Sequence, residues 1–251
     1  MLEKIKFLYR ANKYKHASDS AEITYILQHV FKGETVMDIG CHKGAYLHWL
    51  QSRVGSAGRV IAFEPQPTLH SYLQKIISGT QRYTNVLLYP FALSNKQGNL
   101  NFYVPKGKSN TSPGASLNTQ KNEIEECTTL QVEVRCIDDF EADINSKLSF
   151  IKIDVEGHEL ELLQGAHKIL TTYKPILLIE LEARHCSEER VEQVFELIQS
   201  YGYKGCFFNE HNIQPLQEFN FIQHQSSKEE RYWALPTYCN NFVFEPIVLT
   251  R

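Results

Sequence analysis

The sequence predicts an α/β fold in which a mostly parallel sheet is covered by helices on both faces. Short apolar runs recur along the chain, and such runs are typical of strands buried on both sides. Amphipathic helix patterns lie between them, as a doubly wound arrangement requires. The last two runs, residues 205–208 and 241–244, predict an antiparallel hairpin at the end of the sheet.

The order of the elements supports this fold class. Residues 23–30 carry apolar side chains at helical spacing, with Asp19 and Glu22 in a capping-box pattern before them and Gly33 as the stop. The buried strands are predicted at residues 36–40, 60–63, 86–89, 150–154 and 176–181. Further helices are predicted at residues 46–50, 69–76, 160–170 and 191–198.

Two segments interrupt the alternation. Residues 100–104 form a predicted strand with no helix after it, and residues 130–134 alternate like an exposed or edge strand. We therefore expect an N-terminal arm and helix at residues 1–32, weakly specified over 1–17. One domain follows at 33–251, with a loop insertion around 105–122.

The composition excludes several classes of function. The formal net charge is −3, which is not the charge of a protein that binds nucleic acid through a basic surface. No apolar run approaches the ~20 residues of a membrane span, and the start of the chain lacks a signal-peptide pattern. The six cysteines form no CxxC pair, which favours reduced thiols and a cytoplasmic location.

The first candidate site is the turn after the first buried strand. Gly40 and Gly44 would let the backbone approach a ligand closely. Their spacing is not the G-x-G-x-x-G that cradles a pyrophosphate, and Asp38 suits a cationic or hydroxyl-bearing ligand. Glu64 ends the next strand, where an acid takes the ribose hydroxyls of an adenosine cofactor in doubly wound sheets. It could instead cap the helix that begins near Pro67.

The second candidate site is the acidic segment of residues 154–159. Asp154 ends a central strand, over the ligand crevice of an open α/β sheet, and we expect it to contact both cofactor and substrate. Glu156 is a candidate substrate contact, and His158 is a candidate general base by its reference pKa. Glu180 ends the next strand and would lie beside Asp154, so the two acids could move a proton or hold a divalent cation.

These motifs together resemble the FkbM family of S-adenosylmethionine-dependent methyltransferases. The resemblance covers about residues 33–245 and rests on the stretches VMDIGCHKG, VIAFEP, FALS, IDDF, IKIDVEGHE and YCNNF. It implies a single Rossmann-like sheet of seven strands, S-adenosylmethionine as cofactor and, in most members, O-methylation of sugars or natural products.

The resemblance also implies roles for single residues. Gly40 and its neighbours Cys41, His42 and Gly44 would line the methionine end of the cofactor. Glu64, with Pro65 after it, would hold the ribose, and Ala92 would lie near the adenine. The family usually has a small residue and Asn in place of Cys41 and His42, so the resemblance does not fix the contacts of this turn, and His42 could instead point to solvent.

The loop at 105–118 is rich in hydroxyl and amide side chains, which suits an acceptor lid. Ser112 and Ser116 are therefore candidate substrate-binding residues, although a solvated surface loop would have the same composition. Tyr232 and Trp233 leave room for a homodimer.

The sequence supports an O-methyltransferase that acts on a hydroxyl of a saccharide or of a glycosylated or natural-product small molecule. Three alternatives stay open: methylation of a carboxylate or amide on a peptide or small acid, cofactor binding without catalysis, and a nicotinamide oxidoreductase. Intact activity after Asp154→Ala and His158→Ala would favour carboxylate methylation, because a carboxylate needs no general base. No metal ligand set is predicted.

Overall fold

The computed structural model describes residues 2–106, 111–118, 126–210, 212–226, 235 and 237–247. The predicted insertion at 105–122 is therefore described in part. Tyr232 and Trp233, on which the homodimer prediction rests, lie outside the described residues.

The described residues form strands and α-helices that alternate over most of their length. The strands are β1 (Thr35–Ile39), β2 (Arg59–Phe63), β3 (Val86–Tyr89), β4 (Ala92–Leu93), β5 (Gly98–Pro105), β6 (Cys127–Arg135), β7 (Leu148–Ile153), β8 (Ile176–Glu180), β9 (Tyr203–Asn209), β10 (Asn212–Pro215) and β11 (Asn241–Pro246). The α-helices are α1 (Leu2–Lys13), α2 (Ser20–His29), α3 (Ala45–Val54), α4 (Pro67–Ser78), α5 (Glu159–Gln164), α6 (His167–Thr172), α7 (Glu188–Ser200) and α8 (Phe221–His224).

The main sheet has eight strands in the order β10-β9-β11-β8-β7-β1-β2-β3. From β8 to β3 all neighbours are parallel, and β11 is antiparallel to both β8 and β9. The mostly parallel sheet and the antiparallel C-terminal pair are confirmed. The count of seven was wrong, because the edge strand β10 contains a single aliphatic side chain, Ile213, and its pattern gives no strand signal.

Helices cover both faces of this sheet. The side chains of one face pack against α2, α3 and α4, and include Val36, Val60 and Phe150. Those of the other face pack against α5, α6 and α7, and include Ile39 and Ile153. Because successive residues of a strand point to opposite faces, residues two apart, such as Phe150 and Lys152, share a face.

A second, smaller sheet has the order β4-β6-β5. The sequence predicted an exposed or edge strand at residues 130–134, but β6 is the middle strand of this sheet and pairs with both β4 and β5. The alternation of β6 arises because one of its faces packs on Phe102 and Val104, while the other is exposed.

Two helix predictions are corrected. Residues 160–170 form two short helices, α5 and α6, which are separated at Gly165 and Ala166. A Cβ at Gly165 would overlap the carbonyl oxygen of Ser94. Residues 1–17, expected to be weakly specified, include the helix α1, whose Phe7 is 1% exposed. We call residues 2–29 the N-terminal arm.

Within the ranges described, no helix is both long enough and apolar enough to cross a membrane.

Candidate active site

A cavity of about 690 Å³ opens at the carboxyl edge of the main sheet. This volume is typical of small-molecule sites, and open α/β sheets bind their ligands at this edge. The predicted site residues that line it are Asp38, Gly40, Cys41, His42, Glu64, Pro65, Ala92, Asp154, Glu156, His158 and Glu180. Gly44, Ser112 and Ser116 are described residues that do not line it.

The turn after β1 is pressed against the end of β7. The amide of Asp154 donates to the carbonyl of Ile39 at 3.0 Å, and the amide of Gly40 donates to the carbonyl of Phe63 at 3.1 Å. Gly40 has φ +78°, and a Cβ at this position would overlap the carbonyl oxygen of Asp154. Only glycine therefore lets the ends of β1, β2 and β7 meet around one cavity.

Gly44 has a packing role that the sequence did not predict. It is the residue before α3, and a Cβ there would lie 2.7 Å from Cε2 of Phe7 and 2.9 Å from Cδ2 of Leu73. The glycine thus makes room for the N-terminal arm. The neighbouring His42 does line the cavity, and burial lowers its pKa to about 4, so its ring is neutral at pH 7.

Glu64 lies buried at the end of β2, with 2% of its surface exposed. Its carboxylate accepts a hydrogen bond from the backbone amide of Gln66 at 2.8 Å. Burial raises the pKa of Glu64 to about 8. Phe91, Ala92 and Leu93 form an apolar wall of the same cavity, so this part of the cavity offers a carboxyl group together with a flat apolar surface.

Asp38 and Lys152 are register partners on β1 and β7. Both are buried, at 2% and 1% exposure, and both line the cavity. Burial raises the pKa of Asp38 to about 7, against the opposing charge of Lys152. The Oδ2 atom of Asp38 has no hydrogen-bond partner among the described residues, so a ligand that donates a hydrogen bond would complete it.

Asp154 and Glu180 lie at the same level of the sheet. Each directly follows one of the paired residues Ile153 and Ile179, which brings the two acids side by side as predicted. Burial raises the pKa of Asp154 to about 6, with Lys152 opposing the shift. Burial and the nearby Asp154 raise the pKa of Glu180 well above its usual value.

Glu156 is held in place by His185 and Ser116. Its carboxylate lies 2.8 Å from Nδ1 of His185, and its carbonyl accepts a hydrogen bond from the Ser116 hydroxyl at 2.7 Å. Its φ of +58° is rare for a residue other than glycine. Such strain occurs where surrounding structure fixes a functional group.

Ser112 and Ser116, predicted to bind substrate, have internal roles instead. The backbone of Ser112 exchanges two hydrogen bonds with the Gln66 amide, both at 3.1 Å, and Ser116 is fully buried. Because this segment alternates, Ala115 and Leu117 face the cavity where the hydroxyl groups were expected. The segment gives the cavity an apolar wall.

Both ring nitrogens of His158 are engaged. Nε2 lies 3.0 Å from the Ser94 hydroxyl, and Nδ1 lies 3.6 Å from the Glu161 carboxylate. Burial lowers the pKa of His158. Taking a proton from an acceptor would require the ring to give up one of these contacts.

The N-terminal arm supplies residues that the sequence did not predict. Tyr14, Asp19 and Glu22 line the cavity. Asp19 does not cap α2 with its side chain, but accepts a hydrogen bond from the Tyr46 hydroxyl at 2.7 Å. Arm and domain are further joined by the indole of Trp49, which donates to the carbonyl of Ala11 at 2.8 Å.

Lys152 and Asn241 were also missed. A lysine inside an apolar strand, as in Phe150 to Ile153, is a signal that could have found Lys152, because an ammonium group is rarely buried without purpose. Asn241 begins β11 and belongs to the stretch YCNNF, which supported the resemblance but was given no role in the site. Within the described ranges, no three histidine, cysteine or acidic side chains are arranged to hold a metal ion.

Comparison with protein families gives one match. The family is described as the Methyltransferase FkbM domain, and the match covers residues 38–204. It includes the turn after β1, Glu64 and the whole acidic segment. The N-terminal arm and β11 lie outside it.

Comparison with solved structures gives weaker likenesses. A methyltransferase FkbM from Methylobacillus flagellatus KT is 18% identical with a TM-score of 0.53, covering 96% of this chain and 54% of its own. An O-methyltransferase from Bacillus cereus in complex with SAH is 13% identical with a TM-score of 0.49. The match covers 97% of this chain and 90% of the Bacillus cereus chain. A SAM-dependent O-methyltransferase from Thermotoga maritima is 12% identical with a TM-score of 0.48. The match covers 94% of this chain and 67% of the Thermotoga maritima chain.

The chain therefore spans about half the length of the first of these structures. Comparison with curated proteins gave no match.

Proposed function

The chain belongs to the FkbM methyltransferase family, and from that premise we propose that it methylates a hydroxyl group of a saccharide or of a glycosylated small molecule. The cofactor of the family is S-adenosylmethionine. The observation that carries the hydroxyl assignment is the pair of Asp154 and Glu180 at the edge of the cavity, because a hydroxyl acceptor must lose a proton and needs a base beside it.

The cavity residues fit this cofactor. Gly40 lines the cavity at the turn after β1, and Glu64 would accept hydrogen bonds from a pair of hydroxyl groups. The unpartnered Oδ2 of Asp38 accepts a hydrogen bond from an ammonium group. Phe91 and Leu93 offer an apolar surface for a flat base.

S-adenosylmethionine supplies an electrophilic methyl carbon: the acceptor oxygen bonds to it while the carbon–sulfur bond breaks, the electron pair stays on sulfur, and the hydroxyl proton leaves. We assign that proton to Asp154. Its raised pKa of about 6 leaves it ionised at pH 7 to 8 and still basic.

Glu180 serves a different purpose in this proposal. The rise of its pKa above the usual range favours the protonated form, and its Oε1 accepts a hydrogen bond from the Asn240 amide at 2.7 Å. A protonated Glu180 orients the acceptor oxygen by donating a hydrogen bond. Two carboxyl groups whose pKa values differ in this way commonly divide the two tasks.

His158 is proposed as a positioning residue. Its contacts to Ser94 and Glu161 fix the start of α5, close to the acidic segment. The engaged nitrogens favour Asp154 over His158 as the base.

The test is methyl transfer from isotopically labelled S-adenosylmethionine to a panel of saccharides, with the methylated position read by mass spectrometry. We expect a methyl ether, and a rate that rises with pH through about 6 as Asp154 loses its proton. Asp154→Asn should lower the rate at least 100-fold and retain S-adenosylhomocysteine binding, whereas His158→Ala should retain most of the activity.

The matched control is Glu192→Gln, which removes an exposed carboxylate from α7 and should leave the rate unchanged. A methyl ester or methylamide product would contradict the hydroxyl assignment. Full activity of Asp154→Asn would contradict its assignment as the base.

A further inference from the structure

One end of the cavity lies far from Glu64. Asn241 lines the cavity at the start of β11, and Glu64 lines it at the end of β2. Three strands, β8, β7 and β1, separate β11 from β2. At about 4.8 Å for each step between strands, the two ends are roughly 19 Å apart. The cavity thus has a second end, away from the turn after β1 and from Glu64, the acid proposed to bind the ribose.

We call this second end the arm pocket and define it by Asp19, Glu22, Lys152, Glu180 and Asn241, all of which line the cavity. Asp19 and Glu22 come from the N-terminal arm, and the other three come from β7, β8 and β11. Three of the five, Asp19, Glu22 and Asn241, lie outside the residues matched by the family.

Carboxyl groups outnumber ammonium groups in the arm pocket. It holds three carboxyl groups and one ammonium group. The ammonium of Lys152 donates to the carbonyl of Ile153 at 3.2 Å and lies 5.0 Å from the ring centroid of Tyr46. In the described part of the chain, no carboxylate lies within ion-pair distance of it. The carboxyl groups of Asp19 and Glu22, once ionised, would stabilise one further positive charge beside Lys152.

A polar atom in the same pocket has no partner. Asn241 is 7% exposed, and its Oδ1 has no hydrogen-bond partner among the described residues. Its amide nitrogen donates to Oδ1 of Asn240 at 3.3 Å, and its side chain also makes a hydrogen bond to the Glu22 carboxyl. A carbonyl oxygen can only accept, so the missing partner is a donor. An unsatisfied buried oxygen destabilises the protein, and a ligand that donates a hydrogen bond to it would recover that loss.

We propose that the arm pocket binds the methyl acceptor through an ammonium group, so that the substrate is an amino sugar or another amino alcohol. This inference rests on the proposed function. An ammonium group has three hydrogen-bond donors and one positive charge. It would donate to the unpartnered Asn241 oxygen and would also be attracted by the carboxyl groups of Asp19 and Glu22. A neutral sugar would donate a hydrogen bond to the Asn241 oxygen but would bring no positive charge to the two carboxyl groups.

The titration of these acids supports the inference. Burial raises the pKa of Glu22 to about 7, and burial also raises the pKa of Asp19. The titratable and charged groups that interact with them are Lys152, Asp154, Tyr14 and Tyr46. Glu180 and Arg10 line the same cavity. A bound ammonium group favours the ionised carboxylates, so its binding should release protons to the solvent.

The experiment is calorimetric titration of the full chain, saturated with S-adenosylhomocysteine, at pH 6.5. The probes are glucosamine, glucose and N-acetylglucosamine, which differ only at carbon 2. We expect glucosamine to bind at least ten times more tightly than either neutral sugar. Repeating the titration in buffers of different ionisation enthalpy should show proton release with glucosamine alone.

Variants locate the effect. Asp19→Asn with Glu22→Gln keeps the shape of the pocket, removes its charge from the arm, and should abolish the preference for glucosamine. Glu192→Gln, an exposed change of the same type, should keep it. The comparison of the three sugars on the unaltered chain stands even where the double variant does not fold.

Equal binding of the three sugars, tighter binding of a neutral one, or binding of none of them while S-adenosylhomocysteine binds would overturn the inference and leave the proposed function standing. Failure of S-adenosylhomocysteine to bind would overturn both.

Discussion

The backbone of Gly40 lies so close to the carbonyl oxygen of Asp154 that no side chain fits between them. This contact joins the turn after β1, where the cofactor is proposed to bind, to the end of β7, which carries the proposed base. The amide of Asp154 donates to Ile39, the residue before Gly40, at 3.0 Å. The two halves of the active site are therefore positioned by one another.

Gly40→Ala should destabilise the protein and abolish cofactor binding. The added methyl group would overlap the Asp154 carbonyl, and alanine is strained at φ +78°. Together these should lower the free energy of unfolding by about 3 kcal/mol or more. Gly33→Ala is the matched control, since Gly33 has φ +85° with nothing within 4 Å of an added Cβ.

Gly33→Ala should cost about 1 kcal/mol, the cost of the backbone strain alone. Urea denaturation of both variants measures the difference. Equal losses of stability would contradict the close contact between Gly40 and Asp154.

The stability of the protein without ligand should fall as the pH rises. The pKa of Glu64 is raised by burial from 4.5 to about 8, so between these values the folded chain binds more protons than the unfolded chain. Its contribution is then complete below about pH 4.5 and is lost as the pH rises through about 8.

Glu64→Gln removes this titration and should make the decline shallower, by a few kcal/mol between the two ends of the range. The decline that remains belongs to Asp38, Glu22 and Asp154, whose pKa values are also raised by burial. Thermal unfolding from pH 5 to 8.5 measures it. Glu192→Gln, which changes an exposed acid, should follow the unaltered protein, and a parallel decline in Glu64→Gln would contradict the assignment to Glu64.

The N-terminal arm should be needed for both stability and cofactor binding. Phe7 is 1% exposed and packs edge-on against His48 and Tyr83. Phe7→Ala should lower the free energy of unfolding by roughly 3–5 kcal/mol. It should also weaken S-adenosylhomocysteine binding, because Phe7 lies against Gly44 at the end of the turn after β1, where the cofactor is proposed to bind.

Tyr9→Ala on the same helix is the control. Tyr9 is 71% exposed, and its loss should change stability by no more than about 0.5 kcal/mol. Urea denaturation measures the stability of the two variants, and calorimetry measures their affinity for S-adenosylhomocysteine. Unchanged binding by Phe7→Ala would show that the arm is dispensable for the cofactor site.

The sequence predicted those residues of the candidate site that lie at the ends of the parallel strands. Gly40 and Glu64 each follow a short apolar strand, and parallel strands bring their carboxyl ends to one edge. The same rule placed Asp154 beside Glu180. These predictions needed only the order of strands and the direction in which parallel strands run.

The parts that sequence reasoning missed depend on contacts between distant segments. Asp19 matched a capping box, but its carboxylate instead accepts a hydrogen bond from the Tyr46 hydroxyl, 27 residues away. Ser116 matched a polar lid, but its pairing with Tyr103 turns the hydroxyl inward. Asn241 reaches the site only because β11 inserts between β8 and β9.

Calorimetric titration with S-adenosylmethionine and S-adenosylhomocysteine tests the central claim most directly, with Glu64→Ala beside the unaltered chain. We predict one site of micromolar affinity for both ligands, and its loss in Glu64→Ala while the variant stays folded by circular dichroism. A folded, unaltered protein that binds neither ligand would contradict the assignment of this cavity as the cofactor site of a methyltransferase.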